Sequence, residues 1–269
     1  MNETIFELKD VVYSYLGRYP ALSGIVLTVK SGEKIAVIGA NGTGKSTLLT
    51  LLDGLIFPDK GTVSAFGREL SEGLFGDEEF SRFFRRKVGL VFQNPDVALF
   101  CPSVREDIVF GPLQLGVAPD EVKRRLGTLA KDFDIAHLLD RAPYQLSIGE
   151  KRKAALASVL AIDPDVILLD EPTAGLDPLT TRHIIDLILE ANSKGKTIIT
   201  ATHDLHILGE ISDTIYVFDK SKKIIKHGTP EEILSDNELL SANNLLHIHP
   251  HKHKDKIHAH PHVHLDHHE

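Results

Sequence analysis

The chain has 269 residues, 30 Lys and Arg against 38 Asp and Glu, and a formal net charge of −8. That length suits one large domain or two small ones with a sizeable core, and a composition 25% charged and 42% hydrophobic is that of a soluble globular chain. The negative charge argues against a nucleic-acid partner, the single cysteine (Cys101) excludes an intrachain disulfide and suits a reducing compartment, and no apolar run nears the ~18 residues of a membrane span.

Short β-branched runs at Thr4–Leu8 and Ile25–Val29 predict strands. Lys34–Ile38 is a compact apolar run and Lys45–Leu52 has helical composition, so strand, glycine-rich turn and helix follow one another. Val88–Phe92 and Val166–Leu169 are apolar runs of the length of buried parallel strands. Between Asn94 and Ala161 the strand signal fades, and Asp120–Lys131 and Ile148–Ala161 read as helices. Thr180–Ser193 carries the apolar stripe Ile184, Ile185, Leu187, Ile188 and Ala191, and Thr197–Ala201 is another strand. This alternation predicts an α/β fold around a mainly parallel sheet, with a helical lobe inserted over residues 94–161. Residues 247–269 break the pattern: ten of the 15 histidines fall there.

Gly39-Ala40-Asn41-Gly42-Thr43-Gly44-Lys45-Ser46 matches G-x-x-x-x-G-K-S/T in full. Its glycines let backbone N–H groups approach phosphate oxygens at a helix N-terminus. Lys45 is expected to reach the β- and γ-phosphates, and the Ser46 hydroxyl to ligate Mg²⁺. Val166–Leu169 then runs into Asp170 and Glu171. A carboxylate at the end of such a strand stands at the ligand-binding edge of the sheet, beside the metal. Glu171 is expected to orient or deprotonate the attacking water. The pairing of the two motifs marks a nucleotide site with Mg²⁺.

Leu146-Ser147-Ile148-Gly149-Glu150 resembles the LSGGQ signature of ATP-binding-cassette (ABC) ATPases, with Ile148 for the first Gly and Glu150 for the Gln. The resemblance extends over residues 3–235, and residues 1–235 are taken as one ABC ATPase domain followed by a short extension, 236–246. It implies a P-loop NTPase core with an N-terminal antiparallel β portion, and two cassettes sandwiching ATP. Ser147 and Gly149 would then meet the γ-phosphate bound by a partner subunit. It further implies that Gln93 senses metal and γ-phosphate, that Asp177 in Ala174-Gly175-Leu176-Asp177 signals across the dimer, and that His203 holds the γ-phosphate. Tyr15 would stack on adenine, with Tyr13 the competing choice. Asn41, Thr43 and Thr47 join Gly39, Gly42 and Gly44 in the nucleotide-binding set.

The segment FQNPDVALFCPSVREDIVFGPLQLGV (92–117), with EPTAGLDP (171–178), is similar to ATPases of energy-coupling-factor importers, particularly the cobalt/nickel branch. Those ATPases work from the cytoplasmic face with a second ATPase subunit (a copy or a paralogue), integral membrane subunits and a substrate-binding membrane subunit. Leu99 and Phe100, between Pro95 and Pro102, are expected to offer a docking surface to a membrane helix; Cys101 beside them is a bystander. The expected function is ATP-driven import of cobalt or nickel. The alternatives are a vitamin importer, or a non-transport ABC ATPase with a metal-storage tail.

The tail HIHPHKHKDKIHAHPHVHLDHHE alternates His with other residues. In an extended chain, alternate imidazoles project to one side about 7 Å apart, and imidazole suits Ni²⁺, Co²⁺ and Zn²⁺. His249, His251, His253, His258, His260, His262 and His264 are the candidate ligands of a tail expected to lack order.

Overall fold

A computed structural model describes the backbone of residues 3–253 and 256–262, and the side chains of residues 3–246. Strands β1 (Thr4–Tyr15) and β2 (Tyr19–Lys30) form an antiparallel hairpin. Both run well past the segments legible as strands. Their register shifts between Leu8 and Val11 and again between Tyr13 and Ser14, and such bulges break the alternation by which a strand is recognised. β3 (Lys34–Ile38) leads through residues 39–44 into helix α1 (Lys45–Leu52). β4 (Lys60–Ala65) and the two-residue β5 (Arg68–Glu69) complete a four-stranded sheet in the order β2-β1-β4-β5.

Helices α2 (Glu72–Phe75) and α3 (Glu78–Lys87), capped by Ser71 and Asp77, precede β6 (Val88–Val91). β4 to α3 had no counterpart in the sequence reading, because charged residues interrupt every apolar run there. The lobe consists of α4 (Val104–Gln114), α5 (Pro119–Asp132) and α6 (Ile148–Ala161). α4 continues through Pro112, a residue that ordinarily argues against a helix interior.

The remaining elements are β7 (Val166–Asp170), α7 (Pro178–Ser193), β8 (Thr197–Thr202), α8 (Leu208–Ile211), β9 (Thr214–Phe218), β10 (Ile224–Gly228), α9 (Pro230–Leu234) and α10 (Asn237–Ala242). α7 starts before Thr180 because Pro178 occupies its first turn and Asp177 caps it. A six-stranded sheet runs β10-β9-β3-β8-β7-β6, parallel throughout except for β10. β7 and β8 are buried along their whole length, which is why they read as unbroken apolar runs.

Alternate residues of these strands feed different cores. Ile35, Val37, Val166, Leu168, Ile199 and Ala201 face a core shared with α1 and the antiparallel sheet. On the other face, Val91, Ile167, Leu169 and Ile198 pack against the lobe and α7. Beside them Ala36, Ile38, Ile215 and Val217 pack on Leu208, Ile233, Leu240, Leu245 and Leu246. The stretch 236–246 is thus bound into the domain by its leucines. Beyond it, β11 (His247–His253) and β12 (Lys256–His262) pair antiparallel, with His249 opposite His260 and His251 opposite His258. His264 and the side chains of the other candidate tail ligands lie outside the described residues.

Candidate functional site

The parallel strands all point one way, so the residues after β3, β6, β7 and β8 gather along one edge of the sheet. The turn from Gly39 to Gly44 begins there. A Cβ on Gly39 would stand 2.7 Å from Thr43 Oγ1 and 2.8 Å from the Phe218 carbonyl oxygen, and one on Gly44 would drive into the Ala21 carbonyl. Gly44 has φ 111° and provides no side-chain cap for α1. The helix N-terminus therefore presents bare N–H groups to whatever lies above the loop, an arrangement suited to phosphate.

Lys45 is buried, and its ammonium donates to the Gly39 carbonyl at 2.7 Å and that of Ala40 at 3.4 Å. Burial pulls its pKa down, while Glu171 and Asp170 pull it back up. Thr43 turns its hydroxyl inward onto the Ala40 carbonyl at 2.9 Å, leaving only its backbone for a ligand.

At the end of β7, Asp170 is buried, and burial raises its pKa against the hydrogen bond from Ser46. Its Oδ1 has no hydrogen-bond partner among the described residues. An orphaned carboxylate oxygen beside a serine hydroxyl is a donor set that suits a hard, oxygen-seeking cation such as Mg²⁺. Those two residues fit the metal.

Glu171 follows with a positive φ of 47°, a strained setting for a residue with a Cβ. Three groups hold its carboxylate. Thr202 Oγ1 donates to Oε2 at 3.1 Å, the His203 N–H to the same oxygen at 3.4 Å, and His203 Nδ1 stands 2.8 Å from Oε1. Behind it, the buried Arg152 of α6 donates to the Glu171 carbonyl and, at 3.3 Å, to that of Ala174. The sequence reading missed Arg152. Its one signal is a cation on an otherwise apolar face of α6.

A cavity of about 390 Å³ is lined by Tyr15, Asn41, Gly42, Gly44, Lys45, Ser46, Thr47, Gln93 and Glu171, with Tyr19, Pro20, Ala21 and Lys222 at its margin. Tyr15 shares a hydrogen bond with Thr47 Oγ1 at 3.2 Å, whereas Tyr13 packs edge-on against it and joins the core. Of the two rings, Tyr15 alone lines the cavity.

Ser147, Gly149 and Asp177 do not. They line a second cavity of about 350 Å³ with Ile148, Glu150, Lys153 and Thr180. Ser147 caps α6, and Glu150 closes a capping box. The Ser147 N–H and Oγ donate to Glu150 Oε2 at 2.7 and 2.8 Å, and these bonds lower the Glu150 pKa. Asp177 caps α7 by accepting from the Leu179 and Thr180 N–H groups, both at 3.0 Å.

Leu99 is 6% exposed and packs inside the lobe, so only Phe100, at 64%, remains of the expected docking pair. Phe110 meets it edge-on with ring centroids 5.1 Å apart, and Val97 and Leu113 are exposed nearby. The Cys101 thiol is pushed up to about 11 by burial and by Asp107, which disfavours its thiolate form. No helix among the described residues is long and apolar enough to cross a membrane.

The sequence pattern of the ABC transporter family matches residues 22–174. The nickel import ATP-binding protein NikO of Rhodobacter capsulatus is 47% identical over 90% of this chain and 95% of its own length. The energy-coupling factor transporter ATP-binding protein EcfA of Methanothermobacter thermautotrophicus is 42% identical over 90% of this chain and 76% of its own. Among solved structures, cbiO1 of Clostridium perfringens, part of the ABC transporter complex cbiONQ, superposes with a TM-score of 0.75 at 35% identity, covering 90% of this chain and 95% of that one.

Proposed function

The chain belongs to the ABC transporter family as an ATP-hydrolysing subunit of the energy-coupling-factor type, and from that premise we propose that it powers import of nickel or cobalt ions from the cytoplasmic face of a membrane. What carries the reading of the site is the division of its parts. Lys45, Ser46, Gln93 and Glu171 share one cavity, while Ser147 and Gly149 line another. A second ATPase subunit, either a copy or a paralogue, brings the α6 N-terminus of one over the loop of the other.

In the closed pair the Gly39–Gly44 amides and Lys45 hold the phosphates, and Tyr15 stacks on the adenine. Mg²⁺, held by Ser46 and Asp170 with Gln93 alongside, neutralises phosphate charge when bound. Glu171 accepts a proton from water as its oxygen bonds to the γ-phosphorus and ADP leaves. Thr202 and His203 aim that carboxylate, and His203 also meets the γ-phosphate. Asp177 relays closure between the subunits. The Phe100 and Phe110 surface, just beyond Gln93, receives a helix of an integral membrane subunit, and a further membrane subunit binds the cargo.

The name of the nickel import protein NikO supports a metal cargo, as does the tail, whose histidines from His249 to His264 bind Ni²⁺, Co²⁺ or Zn²⁺ before or after transport. The test is radiolabelled Ni²⁺ and Co²⁺ uptake in cells carrying wild type or Glu171→Gln at equal protein level. Loss of one ion in the variant supports the reading. Unchanged uptake of both overturns it in favour of a vitamin or other cargo.

A further inference from the structure

Lys222 stands in the turn between β9 and β10, far in sequence from every motif of the site. Its ammonium donates to the Gly42 carbonyl, and it lines the same cavity as Lys45 and Ser46. The turn fixes it there. Asp219 Oδ1 accepts from the Ser221 and Lys223 N–H groups at 3.0 and 3.2 Å, the Lys222 N–H donates to the Asp219 carbonyl at 3.1 Å, and Ser23 N–H donates to the Lys222 carbonyl at 2.9 Å.

The backbone at Lys222 is left-handed, with φ 65°. A glycine takes that conformation without strain, whereas a lysine does not. The side chain is therefore held at a conformational cost, and what it supplies is a positive charge on the rim of a cavity built for a polyanion. An ammonium has three N–H donors, more than the Gly42 carbonyl alone uses.

We propose that Lys222 is a second lysine of the nucleotide site, bridging the Gly42 carbonyl to the phosphate chain of ATP or ADP. The proposal rests on this cavity being the ATP site. If wild type binds no ATP, that reading fails; if wild type binds and the variants below bind equally well, only Lys222 fails.

Lys222→Gly removes the ammonium, relieves the backbone, and leaves the Ser23 bond intact because that bond is to main chain. In the full-length protein, calorimetric titration with ATP and ADP in EDTA is expected to give a Kd about fivefold higher for Lys222→Gly, with the gap closing in high salt. Adenosine, which has no phosphate, is expected to bind wild type and variant alike. Lys222→Arg restores most of the affinity, and Lys223→Ala changes nothing. Unchanged ATP and ADP affinity in a Lys222→Gly variant that melts at or above the wild-type temperature overturns the proposal. So does an equal loss for adenosine, since the ammonium would then act only as a strut for the loop.

Discussion

The Arg152 guanidinium donates to the backbone carbonyl of Glu171, tying the helix capped by Ser147 to the strand end that carries the Glu171 carboxylate. Burial lowers the Arg152 pKa, with Glu171 and Asp170 opposing. Arg152→Met is expected to strip the Ala174 carbonyl of its guanidinium donor and leave the Glu171 carbonyl only the Ala174 N–H at 3.3 Å, destabilising the fold by about 1–3 kcal/mol. It should also lower kcat more than it raises KM for ATP, because the carboxylate loses its backing. Denaturant melts and steady-state ATPase assays check both; an unchanged kcat sinks the positioning role.

Gly44 admits no side chain. A Cβ there meets the Ala21 carbonyl, at a φ of 111° that L-residues avoid. Gly44→Ala is expected to abolish measurable ATP binding and to cost more than about 2 kcal/mol of stability. Gly42→Ala, with open space around it and φ 77°, should cost only about 1 kcal/mol. Thermal melts of the two variants, with and without ATP, separate crowding from backbone strain.

How much of this was legible beforehand depends on whether a function sits in contiguous residues. The proposed phosphate contacts come from the backbone of one loop, so Gly39 to Ser46 is legible as a contiguous motif, and the apolar strand ending in Asp170 and Glu171 likewise. Arg152 and Lys222 act across the fold on backbone carbonyls, and nothing in their neighbours announces that. Leu99 and Phe100 looked equivalent as adjacent apolar residues, yet the turn after Pro95 sends one inward and the other to the surface. The hairpin of β1 and β2 was half read because its bulges disrupt the period on which strand recognition depends.

Asp53, at the C-terminal end of α1, is buried. Burial lifts its pKa to about 7, and Arg85, bonded at 3.0 Å, pulls in the opposite direction. Unfolded, the group titrates near 3.8. Between those values the folded chain keeps a proton that the unfolded chain gives up. Asp53 therefore favours folding most below about pH 4, and that contribution is lost as pH rises toward 7, with a slope of at most about 1.4 kcal/mol per pH unit. Asp53→Asn should flatten this part of the melting-temperature profile. Parallel wild-type and variant curves between pH 4 and 8 rule it out.

A chain ending at Leu246 keeps Leu240, Leu245 and Leu246 in their core and discards the histidine tail. It is expected to melt and hydrolyse ATP as the full chain does while losing Ni²⁺ binding in equilibrium dialysis. In the full chain, Ni²⁺ binding should weaken as pH falls through about 6.5, where imidazole takes up its proton. Retained Ni²⁺ binding by the shortened chain places the metal elsewhere. A chain ending at Asp236 lacks Leu240 as well, and should be less stable by about 2–4 kcal/mol.

Alternate side chains of β7 are buried in opposite cores, Val166 and Leu168 on one side and Ile167 and Leu169 on the other. The strand that ends in Asp170 and Glu171 is gripped from both faces and has no freedom to slide. α6 touches only one of those cores and ends at an exposed Ser147, with Arg152 as its link to the strand. Mechanically, β7 would serve as the fulcrum and the helical lobe as the arm in the proposed assembly. In the proposed assembly, a pull on the lobe through Phe100 and Phe110 would therefore reach Ser147 before it reached the Glu171 carboxylate.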